Sequence, residues 1–192
     1  GTGKTEILHR MNKMGHQTID LEKLAMHKGS AFGDLGITTN ITQQQFENSL
    51  ALEWNKIGVS RPVFIESESR KIGKVVIPNS FFNLMSSSLY IKIDMDIKRR
   101  INNLLRDYGH FSFDDLADRT KKISKKLGGL NTTDALNLLS KNDLYSFTEL
   151  LLKKYYDKMY DTAYNKRYSE KILLQITNES NENIIYKVLN SL

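Results

Sequence analysis

Gly3-Lys4-Thr5 runs with no helix breaker into residues 6–14, where Ile7, Leu8, Met11 and Met14 recur at helical spacing before Gly15. Glycine, lysine and a hydroxyl residue at a helix start are the end of the pattern G-x-x-x-x-G-K-[ST]. In that pattern main-chain N–H groups surround a phosphate, the lysine meets the outer phosphates and the hydroxyl holds magnesium. This assigns phosphate contact to Gly1, Thr2, Gly3, Lys4, Thr5 and Glu6. The first glycine of the pattern would fall upstream of Gly1, so the sequence is expected to be a piece of a longer chain. The triplet is short enough to arise by chance, and its surroundings must carry the reading.

Those surroundings alternate strand and helix. Residues 17–21 give a short strand ending in Asp20, residues 21–26 a brief helix, and residues 27–40 a Gly-, Ser- and Thr-rich loop. Thr42 is placed to cap a helix with Phe46, Leu50, Trp54 and Ile57 on one face, ended by Gly58. Val63-Phe64-Ile65 reads as a buried parallel strand, residues 75–77 as an extended piece, residues 81–85 as a short helix and residues 88–93 as another strand. Asp94 or Asp96 caps the helix that carries Ile97, Ile101, Leu104 and Leu105. Alternation of this kind predicts an α/β fold, a P-loop NTPase-like parallel sheet with helices on both faces. Residues 111–165 read as helix only, over 116–127, 133–140 and 144–160, and form a helical insertion into a core of residues 1–110. Residues 166–192 return as a strand, Lys171 to Thr177, and an amphipathic helix, Asn181 to Leu192, that complete the core.

The strand Val63-Phe64-Ile65 runs into Glu66-Ser67-Glu68-Ser69-Arg70. A magnesium-positioning acid belongs at such a strand end, and alternation turns Glu66 and Glu68 to one side if the strand persists. Glu66 is accordingly assigned with Thr5 to metal, and Glu68, Arg70 and Asp20 to catalysis. Two solvated acids on a polar loop are the alternative for Glu66 and Glu68. An N-cap role is the alternative for Asp20 and Glu22. His27 and Lys28 offer donors to an anion, Arg99 and Arg100 follow a later strand, and Lys121, Lys122, Lys125 and Lys126 make a basic stripe. His27, Lys28, Arg99, Arg100, Lys121 and Lys122 are assigned to a nucleic-acid substrate, with solvated loop and helix faces as the alternative.

Across the 192 residues, 28 Lys and Arg against 22 Asp and Glu give a net charge of +6, a moderate bias toward polyanionic partners. With no cysteine the chain holds no disulfide, no thiolate zinc site and no thiol nucleophile. No apolar run reaches about 18 residues and the start lacks a secretion signal, so no membrane contact and a cytoplasmic address are expected.

Several segments together resemble the P-loop domain of the tRNA 2-selenouridine synthases: Gly3-Lys4-Thr5-Glu6, Ile19-Asp20-Leu21-Glu22, Leu24-Ala25, His27-Lys28-Gly29-Ser30 and Phe32-Gly33. Gln45-Phe46-Glu47, Arg61-Pro62, residues 66–73, Pro78, Leu127-Gly128-Gly129 and residues 155–160 extend the likeness over most of the chain. The resemblance implies a transferase that exchanges the sulfur of 2-thiouridine at the tRNA wobble position for selenium. It implies selenophosphate as donor, an S-geranylated intermediate made from geranyl diphosphate, Mg2+, and a cysteine-bearing rhodanese domain, fused or separate. Without that cysteine the chain is expected to be incomplete for selenation, contributing the tRNA-binding and phosphate-binding part, with a nucleotide as another occupant of the loop. A small-molecule or nucleotide kinase and a non-catalytic tRNA-docking subunit are the competing readings.

Overall fold

The computed structural model describes residues 1–160 and 172–191. Helix α1 (Lys4–Lys13) begins directly after Gly3, whose φ of 75° is a left-handed value open to glycine. Strand β1 (Gln17–Ile19) follows, and Asp20 caps the short α2 (Leu21–Leu24) by accepting from the Lys23 N–H at 2.8 Å. Thr42 and Gln45 form a reciprocal capping box on α3 (Gln43–Trp54), which buries Phe46 and Leu50. Strand β2 (Val63–Ile65) then lies parallel to β1, with Thr18 opposite Phe64. A small antiparallel hairpin, β3 (Lys71–Ile72) and β4 (Val75–Val76), turns at Gly73-Lys74. The extended piece expected at 75–77 is thus the second arm of a hairpin whose first arm the hydropathy pattern did not announce.

Helix α4 (Asn79–Ser87) leads to β5 (Tyr90–Asp94), and Asp96 rather than Asp94 caps α5 (Ile97–Tyr108), accepting from the Lys98 N–H at 2.8 Å. Strand β6 (Ile172–Thr177) pairs parallel with β5, with a register shift at Tyr90/Ile91, and α10 (Asn181–Leu189) closes the core. Alternation along β2 places helices on both faces. Val63 and Ile65 pack with Phe46 and Leu50 of α3, whereas Phe64 packs with Ile7 and Met11 of α1, Ile184 of α10, and Ile91, Ile93 and Ile176 of the second strand pair. The fold is α/β, with parallel strand pairs and flanking helices, as the sequence predicts.

Between α5 and β6 the chain is helical over α6 (Phe113–Lys122), α7 (Ser124–Leu127), α8 (Gly129–Ser140) and α9 (Leu144–Leu151). The single helix expected over 116–127 is broken at Ile123 (φ −95°, ψ 0°), which lets Ile123 and Leu127 both bury. Gly128 ends α7 and begins α8. After α9 the backbone widens into a π-helical turn, Leu152–Tyr156, before helix resumes over 157–160. The expected boundary at 165/166, the start of the last strand at Lys171, and Leu192 lie outside the described residues. Phe32 and Leu35 from the 27–40 loop are buried in the core of α6–α9, with Leu116, Ala135, Phe147 and Leu151, so that loop is tied to the insertion.

Candidate functional site

Helix α1, α2, the chain after β2, α5 and the end of the insertion converge on one cavity of about 570 Å³. Gly1, Thr2, Gly3, Lys4, Thr5 and Glu6 line one end of it. Lys4 sits at the first turn of a helix, where free N–H groups and the macrodipole favour an anion. Burial works against its charge, but Tyr160, Glu66, Glu68 and Glu22 outweigh burial and lift its pKa above the ordinary lysine value. Its ammonium lies 5.7 Å from the centre of the Tyr160 ring.

Around Lys4 stand three carboxylates. Strand β2 ends at Ile65, so strict alternation does not reach Glu66 and Glu68, yet both side chains line the cavity, 6% and 9% exposed. Glu22 joins them from α2, and oxygens of all three lie within 4.8 Å of one another. Burial, then repulsion from Glu66 and Glu68, pushes Glu22 up to about 8. Burial, offset in part by Lys4, pushes Glu68 up to about 7. Glu66 is raised for the same reason, against the pull of Lys4 and Thr5. The Thr5 hydroxyl donates to Glu22 Oε2 at 3.4 Å.

The backbone of Gly29, at φ 60°, closes over this triad so tightly that a Cβ there would sit 2.5 Å from Glu22 Oε1 and 2.6 Å from Glu68 Oε2. Lys28 and Ser30 flank it. The Lys28 ammonium lies 5.1 Å from the centre of the Tyr108 ring, and Ser30 Oγ is 3.5 Å from the Tyr108 hydroxyl, whose pKa burial pushes up to about 12. Tyr156, also raised by burial, lines the same wall. The lining also has an apolar arm, Phe32, Leu116, Phe147, Leu151 and Leu152, the first four of them part of the insertion core, whereas Leu104 lies beside Gly1.

Several residues assigned from the sequence sit elsewhere. Asp20 caps α2 and pairs with His9 Nε2 at 2.5 Å, leaving Glu22, two residues on, to face Lys4. Arg70 is exposed and does not line the cavity. His27 does not line it either: its ring is wedged between Gly33 and Gly73, where a Cβ would approach it to 2.8 and 2.5 Å. Its pKa is lowered by burial against the pull of Asp34. Arg99 donates to the Glu179 carbonyl and, at 3.2 Å, to Asn181. Arg100 lines the cavity but is held by Asp157 through contacts of 2.5 and 3.3 Å. Lys121 and Lys122 are exposed on α6 away from the cavity, Lys122 pairing with Asp118 at 2.9 Å. Glu6 binds Arg10 at 2.8 Å, and that contact lowers its pKa.

Sequence reasoning passes over the apolar arm and Tyr108, and it offers Tyr155, Tyr156 and Tyr160 only as base-stacking or core residues, because the lining is spread over the 27–40 loop, α5, α6, α9 and the π-turn. Only their helical spacing was visible, and that spacing also suits an ordinary core. The sequence carries no signal that separates Glu22 from Asp20.

The family model for the tRNA 2-selenouridine synthase AAA domain matches residues 1–190. The chain belongs to this family. Among proteins named tRNA 2-selenouridine synthase, that of Nitrosomonas europaea is 32% identical over 213 residues, covering 87% of this chain and 55% of the relative. That of Shewanella frigidimarina is 33% identical over 190 residues, covering 83% and 50%. The Nitrosomonas eutropha protein is 29% identical over 213 residues, covering 87% and 54%. The chain thus spans about half the length of the curated relatives it matches. No solved structure matches it. Among the described residues no helix is long and apolar enough to cross a membrane.

Proposed function

We propose that this chain is the tRNA-binding and diphosphate-binding part of a tRNA 2-selenouridine synthase, a transferase that converts 2-thiouridine to 2-selenouridine through a geranylated intermediate. The two-part lining of the cavity carries this reading. A cationic helix start beside acids suits a diphosphate, and the apolar arm from Phe32 to Leu152 suits a hydrocarbon tail on the same ligand. A kinase for a small polar acceptor would leave that arm without a purpose.

In the proposed step the C–O bond of geranyl diphosphate breaks with its electron pair going to the diphosphate, a C–S bond forms to the thiouridine sulfur, and the ring N3–H proton of the base is released to solvent. Lys4 and the amides of the loop stabilise the charge that develops on the leaving diphosphate. Mg2+ would be held by the carboxylates beside Thr5 and would supply further charge neutralisation. The ring faces of Tyr108 and Tyr156 and the apolar arm hold the chain and exclude water. Lys28 at the cavity mouth and the exposed lysines of α6 offer positive charge to the tRNA backbone. Exchange of the geranylthio group for selenium from selenophosphate is assigned to a cysteine-bearing rhodanese domain or partner, since this chain has no cysteine.

The test is geranylation of thiolated tRNA by the full-length protein with its rhodanese part. Lys4→Ala is expected to slow geranylation by about 10²-fold or more, the scale of losing one preorganised charge-stabilising donor. Undiminished geranylation by that variant would reject the phosphate assignment, and turnover of a nucleotide with a small acceptor and no tRNA would favour the kinase.

A further inference from the structure

A phosphate-binding loop ordinarily acquires its metal together with the phosphate, because a hydroxyl and one acid leave most of the coordination shell to phosphate oxygens and water. The arrangement here is different. Three carboxylates from two parts of the chain, Glu22 on α2 and Glu66 and Glu68 after β2, bring oxygens within 4.8 Å of one another. That spacing fits oxygens on opposite sides of an ion whose metal–oxygen distances are about 2.1–2.4 Å. Thr5, the usual hydroxyl ligand, lies against the same acids, its hydroxyl 3.4 Å from Glu22 Oε2 and also lowering the pKa of Glu66 by a hydrogen bond.

A second observation points to an occupant. Glu66 is 6% exposed, and its Oε1 is fully buried with no hydrogen-bond partner among the described residues. A buried carboxylate oxygen without a donor costs several kcal/mol in order-of-magnitude terms and calls for a compensating group. Charge bookkeeping agrees. The three acids stand beside a single lysine, Lys4, and a divalent cation would offset the charge they carry once its binding displaces their protons. The Gly29 backbone packed on Glu22 Oε1 and Glu68 Oε2 restricts both carboxylates, so the ligand set is preformed.

We infer that Glu22, Glu66 and Glu68 form a cation site that takes up one hard divalent ion, of the Mg2+, Mn2+ or Ca2+ type, before any phosphate-bearing ligand arrives. All ligands are oxygen, which selects this class over thiophilic metals. The inference shares its cavity with the proposed function but does not depend on the identity of the substrate. It makes the metal a resident part of the cradle, with Lys4 left free to meet the incoming anion.

The test is a titration of the full-length, chelator-stripped protein with Mn2+ in phosphate-free buffer, following the free-ion electron paramagnetic resonance signal. One Mn2+ per chain is expected, with Kd on the order of 10⁻⁵ M. Glu22→Gln and Glu68→Gln should each weaken uptake at least about tenfold, with circular dichroism confirming that each variant is folded. Uptake by the wild-type protein needs no variant and is itself decisive. Binding that begins only when inorganic pyrophosphate is added, or binding unaltered in both folded glutamine variants, overturns the inference. The first of those results leaves the proposed function standing, whereas phosphate-free uptake without geranylation would sustain the metal site and sink the substrate assignment.

Discussion

Two glycines in this chain are matched in backbone and opposed in surroundings, and substituting both measures how firmly the 27–33 loop is pressed on the acids. Gly15 has φ 87° with nothing within 4 Å of an added Cβ, whereas Gly29 has φ 60° with Glu22 and Glu68 at 2.5 and 2.6 Å. Left-handed backbone costs an alanine about 1–2 kcal/mol, offset by about 0.4–1 kcal/mol from the stiffer unfolded chain. Gly15→Ala should therefore lose about 1 kcal/mol, or roughly 3 °C in Tm for a chain of this size. At Gly29 the same strain is joined by overpacking. Ordinary contact begins at 3.4 Å, so both carboxylates must retreat by about 0.9 Å. Overpacking of that kind costs about 1–3 kcal/mol more, and Gly29→Ala should lower Tm by about 5–12 °C. Thermal unfolding of the two variants side by side, followed by circular dichroism in chelator, reads the difference directly. Equal losses would show that the loop does not press on Glu22 and Glu68, and the account of a preformed acid triad would fail with it.

Stability should fall as pH rises through the range 7 to 8. Glu22 and Glu68 are raised in the folded state to about 8 and about 7 from an ordinary value near 4.5. The folded chain therefore binds protons that the unfolded chain has released, a contribution complete below the unfolded value and lost through the folded ones. Metal-free melts from pH 6 to 9 should show this decline, flattened in Glu22→Gln and Glu68→Gln; an unaltered slope in both would contradict it. Asp157→Asn should cost about 2 kcal/mol, less than the 3–5 of a fully buried pair because Asp157 is 35% exposed, and urea unfolding at neutral pH would detect it. Phe147→Ala, at 4% exposure in the insertion core, should cost about 3–5 kcal/mol and also weaken binding of a prenyl diphosphate relative to inorganic pyrophosphate, as compared by calorimetry.

Much of this architecture could be read in the residues themselves. The Thr42 cap, the apolar run at Val63-Phe64-Ile65 and the spacing of Ile97, Ile101, Leu104 and Leu105 each state a local preference that the folded chain satisfies. The acids after β2 were legible for a related reason, since polar groups ending an apolar strand have few places to go, although β2 itself is only partly buried. What remained hidden was rotational phase. Asp20 and Glu22 are two residues apart, but the strand stops at Ile19 and the turn of α2 sends one to His9 and the other to Lys4. Arg99 and Arg100 differ by about 100° around α5, so one meets residues 179–181 while its neighbour meets Asp157. No rule of composition selects between such neighbours; the tertiary packing of each helix does. The Gly73-Lys74 turn, by contrast, is a two-residue hairpin signal that was present and could have been used.

The widened turn at Leu152–Tyr156 sets the roof of the cavity. A π-turn amounts to one extra residue let into an α-helix, and an extra residue rotates everything after it by about 100°. Asp157, which clasps Arg100, and Tyr160, whose face meets Lys4, both come just after that point. The aim of both side chains at the cradle is thus set by a count of residues along one helix, and a single deletion between 152 and 156 would swing them aside while leaving every side chain in the pocket chemically intact.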